Sequence, residues 1–233
     1  MAQMGRPRTF DRDVAITQAL HLFWEHGYDA TSLSQLKSKI GGGITAPSFY
    51  AAFGSKQALF NEVMERYLTT HGRVTDSLSD TTLPPRDAIE LTLRRSAKMQ
   101  CEPDHPKGCL VALGLMSACS DESKAISEPL ARARNVNRAG IVACIHRAIA
   151  AGELPATVIP ETLATVFDSF LLGLSTLARD GLPHATLDAA VTQVMGVWDS
   201  LRIVATIDDP EVQNEREVPV SDESRHPEDP LPE

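Results

Sequence analysis

The sequence predicts an all-α protein, with an N-terminal three-helix helix-turn-helix domain followed by a larger helical domain. Three observations lead there. Alanine and leucine dominate the 233 residues and aromatic residues make up only 5%, a balance that favours helix over sheet. Apolar residues recur at three- and four-residue spacing along most of the chain, as amphipathic helices require. Glycines and prolines stand where these stretches end, at Gly27, Gly41 to Gly43, Gly54, Gly152 and Pro155. With 42% hydrophobic content the chain can bury a sizeable core, as one large or two small domains.

Residues 1–9, with Arg6 and Arg8, read as a flexible basic arm suited to phosphates or a minor groove. Phe10 to Gly27 forms the first helix, begun by Asp11 or Asp13. Its apolar stripe of Val14, Ile16, Ala19, Leu20, Phe23 and Trp24 marks it as scaffold. Thr31 is the expected N-cap of the second helix, which carries Leu33, Leu36 and Ile40 and stops at Gly41-Gly42-Gly43. Thr45 caps a third helix of about two turns, with Pro47 in its first turn and Gly54 at its end. Two short helices joined by a glycine turn, the second bearing small and hydroxyl side chains, read as a helix-turn-helix spanning 10–54. In that motif the second helix enters the DNA major groove.

Ser55 opens a connecting helix within 55–75 that carries Leu59, Phe60, Val63, Met64 and Tyr67, and Asp76 to Pro85 reads as a loop. The second domain, 76–207, starts with a helix over Arg86 to Gln100. Gly108 to Ala118 is apolar nearly all round, which predicts a buried central helix. Asp121 to Ala151 predicts a long helix or a kinked pair about Pro129. Pro160 to Ala178 and Thr186 to Val204 close the fold, each with more apolar surface than one partner would cover. That excess predicts a four-helix interface between two copies of the chain. Its expected residues are Phe167, Phe170, Leu171, Leu174, Val191, Val194, Met195, Trp198 and Leu201. The last 26 residues, 208–233, hold five prolines and ten acids and are expected to be disordered.

The run T-S-L-S-Q-L … I-T-A-P-S-F-Y-A-A-F-G-S-K-Q-A-L-F, with its Tyr50-x-x-Phe53-x-Ser55-Lys56-x-x-Leu59 core, resembles the DNA-binding domain of the TetR family of transcriptional regulators. The likeness covers Phe10 to Tyr67; beyond it only the helical layout is shared. Members usually have one glycine between these two helices, so Gly41-Gly42-Gly43 lengthens the turn by about two residues and either tilts the recognition helix or bulges outward. The resemblance implies a homodimeric regulator, a repressor released from double-stranded operator DNA by a small-molecule effector. It places Thr45, Ala46, Pro47, Ser48 and Tyr50 on the DNA-facing side. Thr45 and Tyr50 can donate to phosphates, Ser48 can reach phosphate or base, and Ala46 and Pro47 offer apolar contact to thymine methyls. Ser55 and Lys56 form a phosphate clamp at a helix start, and Thr31 and Ser32 offer the same one helix earlier. No Asn, Gln or Arg stands on this short helix, so readout through DNA shape gains weight. The resemblance also implies an effector cavity among the middle helices, with Met99, Cys109, Leu113, Met116, Cys119, His146, Phe167 and Phe170 as candidate lining.

The net charge of −9 argues against nucleic acid only until its distribution is read. Residues 1–60 hold six basic against four acidic residues, whereas residues 208–233 hold two against ten. A local basic arm can bind phosphates, because screening confines the field to about 8 Å. No stretch of about 18 apolar residues exists to span a membrane, and MAQMGRPRTF has no apolar signal core, so a cytoplasmic location without membrane contact is expected.

Cys101-x3-His105-x3-Cys109 admits a thiol- or metal-responsive reading, with Cys109 activated by Lys107 at a helix start. Against it stands the plain reading of small apolar cysteines and a loop histidine, and no resident metal or cofactor is expected. Cys101, Cys109, Cys119 and Cys144 form no CxxC pair. No phosphate-binding glycine loop, HExxH or GxSxG is present, so an enzyme is not expected. A helical small-molecule-binding protein that has lost DNA binding is the remaining alternative, should the triple glycine disable the motif.

Overall fold

The structure is a computed structural model that describes residues 10–118, 120, 121 and 123–207. Arg6, Arg8, Cys119 and the acidic segment 208–233 lie outside the described residues. Among the described residues all regular structure is helical: α1 (Arg12–His26), α2 (Leu33–Lys39), α3 (Ala46–Phe53), α4 (Lys56–Thr69), a 3-10 segment (His71–Ser79), α5 (Pro85–Met99), α6 (Leu110–Met116), α7 (Lys124–Ala150), α8 (Pro160–Arg179) and α9 (His184–Ile207).

The first four helices are short, and each is fixed by a side chain at its start. Asp11 accepts from the N–H groups of Asp13 and Val14, Ser32 from Gln35, Thr45 from Ser48 and Ser55 from Ala58. Ser32, not Thr31, is therefore the cap of α2. Their apolar faces meet in an aromatic core of Phe23, Trp24, Tyr28, Phe49, Phe53, Phe60 and Tyr67. Phe60 stands edge-on to Phe23 and Tyr28 at 5.1 and 5.2 Å, the geometry ring quadrupoles prefer. Ion pairs tie the rim: Arg12 to Glu62 at 2.6 Å, and Arg66 to Asp13. This core also takes in Met99, Leu110, Val111, Ile126 and Leu130, so α5, α6 and α7 pack directly onto the helix-turn-helix.

The second core is aliphatic and alanine-rich, made by α5, α7, α8 and α9, with Phe167 and Trp198 at its centre. Four expectations change here. Residues 71–79 are a 3-10 segment, not loop, pinned by the Ser77 hydroxyl bonded to Ala88 O and Thr92. The segment expected as a buried central helix is only seven residues of α6, ending on Met116 at 67% exposure. Helix α7 runs unbroken through Pro129.

The fourth concerns the dimer face. Phe167, Leu171, Leu174, Val191, Met195 and Trp198 are buried inside the single chain. Only Phe170, Val194 and Leu201 of the expected set keep partial exposure. Periodicity identified an apolar stripe but could not say which body it faces.

Candidate nucleic-acid interface and effector cleft

Gly41, Gly42 and Gly43 all have positive φ, at 58°, 76° and 94°, conformations that cost residues with a Cβ about 1–2 kcal/mol each. The Gly41 N–H donates to Gln18 Oε1 at 2.7 Å, and a Cβ on Gly41 would lie 2.9 Å from the Phe10 ring. The Ile44 N–H returns to Lys37 O at 2.8 Å. The extra glycines thus wind into a closed turn, and α3 keeps its anchors Phe49 and Phe53 in the core.

The opposite side of α3 faces solvent. Thr45, Pro47 and Tyr50 are exposed, Tyr50 at 52%, while Ala46 and Ser48 are half-buried. The Thr45 and Ser48 hydroxyls share a 2.9 Å hydrogen bond, so both are held in place at the helix start. Ser32 and Ser55 are exposed at the starts of α2 and α4. The Lys56 ammonium sits 4.1 Å over the Tyr28 ring, a cation–π contact that positions its charge. Thr31 is a correction: it is fully buried and its hydroxyl donates to Gly27 O at 2.7 Å, which takes it out of reach of DNA. Lys37 and Lys39 stand in the last turn of α2 beside the glycine turn and add positive charge there.

A narrow cleft with an internal volume of about 50 Å³ lies between α4, α5, α6, α7 and α8. Met99, Val111, Leu171 and Leu172 give it apolar walls. Gln100 and Ser175 are buried in it, and Gln100 Nε2 donates to Ser96 Oγ at 2.7 Å. Gln100 Oε1 and Ser175 Oγ have no partner, a state that costs about 1–3 kcal/mol per group until something bonds them. The Tyr67 hydroxyl donates to Cys109 Sγ at 3.1 Å. Burial, with Cys109 beside it, pushes the Tyr67 phenol well above its ordinary pKa. Burial also lowers the pKa of Arg134, whose guanidinium donates to Val111 O and Ala112 O.

Of the expected lining residues the cleft gathers Met99 and Cys109 alone. Leu113 and Met116 border a separate surface groove beside Trp24 and Arg179. Phe167 belongs to the second core, Phe170 packs against that core, and His146 is solvent-exposed. Gln100, Ser175 and Arg134 carry no sequence signal as lining, because polar residues near helix ends or on helix faces ordinarily meet water.

The Cys-His-Cys reading fails on geometry. Cys101 Sγ points to Leu182 O, Cys109 Sγ accepts a hydrogen bond from the Tyr67 hydroxyl, and neither thiol joins the cluster around His105. Burial raises the pKa of the Cys101 thiol. The Lys107 ammonium is held by the carbonyl oxygens of Cys101 and Glu102.

Trp24 adds a polar tie between the helix-turn-helix and the loop beside the cleft. Trp24 Nε1 donates to Gly108 O at 3.2 Å, and its ring stacks on His105 and meets Tyr67 edge-on. Arg179, at the end of α8, donates to Trp24 O, Glu25 O and Lys107 O within 3.0 Å. These bonds tie the end of α8 and loop 101–109 to the end of α1.

A short helix with an outward face of hydroxyls, set after a glycine turn on an aromatic core, is the layout of a helix-turn-helix regulator of transcription. Comparison with known proteins agrees. Residues 15–63 match the model for bacterial regulatory proteins of the tetR family, and residues 85–195 that for the tetracyclin repressor-like C-terminal domain. The HTH-type transcriptional repressor ComR of Escherichia coli is 29% identical over 84% of this chain and 93% of its own. A cysteine mutant of the TetR family regulator CifR, solved with a 26bp double-strand operator DNA, is 37% identical. That likeness covers 83% of this chain and 100% of that one, with a TM-score of 0.74. The chain belongs to the TetR family of DNA-binding transcriptional regulators. No helix among the described residues is long and apolar enough to cross a membrane.

Proposed function

We propose that two copies of this chain bind a pseudo-palindromic operator as a repressor, and that a small molecule entering the cleft releases them. The carrying observation is the outward face of α3, where Thr45, Ser48 and Tyr50 present hydroxyls on a helix locked by the glycine turn. Lys56, Ser32 and Ser55 act at helix starts as phosphate contacts, joined by Lys37 and Lys39; Arg6 and Arg8 add the basic arm. Domain limits near 54 and 75 remain part of this reading, with the first core reaching past them. For pairing, we assign the outer stripe of α8, with Val166, Phe170, Gly173 and Leu177, together with Val197 of α9.

The cleft suits a small, mainly apolar molecule with a hydrogen-bond donor for Gln100 Oε1. The effector works through its preference for one of two dimer geometries; a hundredfold preference shifts the balance by about 2.7 kcal/mol. A cytoplasmic site of action and the absence of an enzymatic role complete the reading.

Selection from a random duplex library by the purified protein is the test. A palindromic consensus bound with steep salt dependence is expected, and Lys56→Ala should lower the salt slope by about one. Recovery of no consensus would defeat the proposal. A second reading concerns the trigger: Cys109 lines the cleft, so an electrophile could act there. Operator release that persists in Cys109→Ala excludes that thiol.

A further inference from the structure

Loop 101–109, between α5 and α6, carries a cluster used by neither the DNA face nor the cleft. The His105 side chain is 1% exposed, stacked on Trp24 at 4.5 Å and edge-on to His71 at 4.6 Å. Its Nδ1 lies 2.9 Å from Pro106 O, an acceptor only, so a proton sits on Nδ1 and Nε2 is the ring nitrogen open to a ligand. Nε2 is buried and has no hydrogen-bond partner. It faces Glu102 Oε2 at 3.7 Å and Asp104 Oδ1 at 4.0 Å.

These separations are too long for hydrogen bonds, so an imidazolium sandwiched between two carboxylates would donate to nothing. They fit a bridging ion. A tetrahedral metal with bonds of about 2.0–2.1 Å holds its ligand atoms about 3.4 Å apart, and the three atoms already lie within 4.8 Å of one another. Drawing the ligand atoms together falls to the carboxylates, whose side chains are 41% and 76% exposed and able to swing. The backbone beneath is already fixed: Trp24 bonds Gly108 O, and Arg179 bonds Lys107 O. The Nδ1–H bond to a carbonyl is the outer contact that orients ligating histidines.

We propose that this loop binds a divalent transition-metal ion of the zinc class through His105 Nε2 and the carboxylates of Glu102 and Asp104, with solvent completing the shell. One imidazole with two carboxylates selects zinc and its first-row neighbours over calcium or magnesium, which favour oxygen alone. Neither cysteine nearby takes part, which separates this site from any built on thiolates.

The test is calorimetric titration of Zn²⁺ into the untagged, chelator-stripped full chain, with Co²⁺ absorption as a second readout. One ion per chain is expected, with no thiolate-to-cobalt charge-transfer band and a raised melting temperature by linkage. The double variant Glu102→Gln/Asp104→Asn alters only solvent-facing carboxylates and should weaken Zn²⁺ by at least about tenfold while its circular dichroism stays unchanged. Absence of binding, a smaller loss in the variant, or a charge-transfer band would each overturn the assignment.

Discussion

The two halves of this molecule are held in shape by different means. Helices α1 to α4 each have a side-chain cap, whereas α5 to α8 start at Pro84, Cys109, Ser123 and Ile159 without one. Short helices such as α2 and α3, at 7 and 8 residues, are marginal alone, so local caps and a dense aromatic core must set their position. Helices α7, α8 and α9, at 27, 20 and 24 residues, are stabilised by burial along their length. The contrast suits a regulator. Under the proposed function, the DNA end keeps hydroxyls at fixed positions while the helices around the cleft move as bodies.

The largest expected effect tests whether the halves are separable. Trp24 belongs to the first core yet holds Gly108 and His105, so Trp24→Ala should cost about 3–5 kcal/mol. Denaturant melts should show both halves losing stability together; an independent transition for the second half would mean that the junction is weaker than its contacts imply. Gly41→Ala should cost about 1–2 kcal/mol from its positive φ, and more from the Phe10 ring. Gly152→Ala, with positive φ but open space, should show the backbone cost alone. Equal losses at the two sites would remove the Phe10 contact from the account.

Smaller effects sharpen the comparison of helix starts. Thr45→Ala should lose about 1 kcal/mol, and Ile159→Ala, at an exposed start with no cap bond, less than about 0.5 kcal/mol. Similar values in thermal melts would erase the distinction between the halves. The smallest effect is electrostatic. Arg86 holds Asp199 at 2.7 Å and lowers its pKa below the usual carboxylate range. Burial opposes the same shift in Glu90, but hydrogen bonds from Arg94 and Arg86 lower it too. A depressed folded pKa means stability that is complete above the unfolded value, about pH 4, and lost as pH falls through the folded one. Arg86→Met should therefore flatten the acid side of the stability profile, by less than about 1 kcal/mol at this partly exposed site. An unchanged profile would leave the pair without a measurable role.

Much of the first half was legible because its signals are local. Thr45, Pro47 and Gly54 bound α3 through contacts three or four residues away, and the motif from Tyr50 to Leu59 lies within ten residues. Thr31 misled because it has the chemistry of a cap and sits one residue before the residue that does the capping. Its hydroxyl turns back to Gly27, a preference set by the packing of Tyr28 and the end of α1. In the second half the helices themselves were readable, but neither cleft nor pairing face was. Gln100, Arg134 and Ser175 meet only because three helices converge, and Cys109, His105 and Cys101 diverge despite even spacing.

The chain by itself determined that helices make up the fold, and that two short ones flank a left-handed glycine turn, since capping and periodicity act within a few residues. Which side of an apolar helix its own protein covers was decided only in three dimensions. Phe167, Trp198 and Met195 are inside because α5 and α7 reach them, and burial depends on every element that arrives, however distant in sequence.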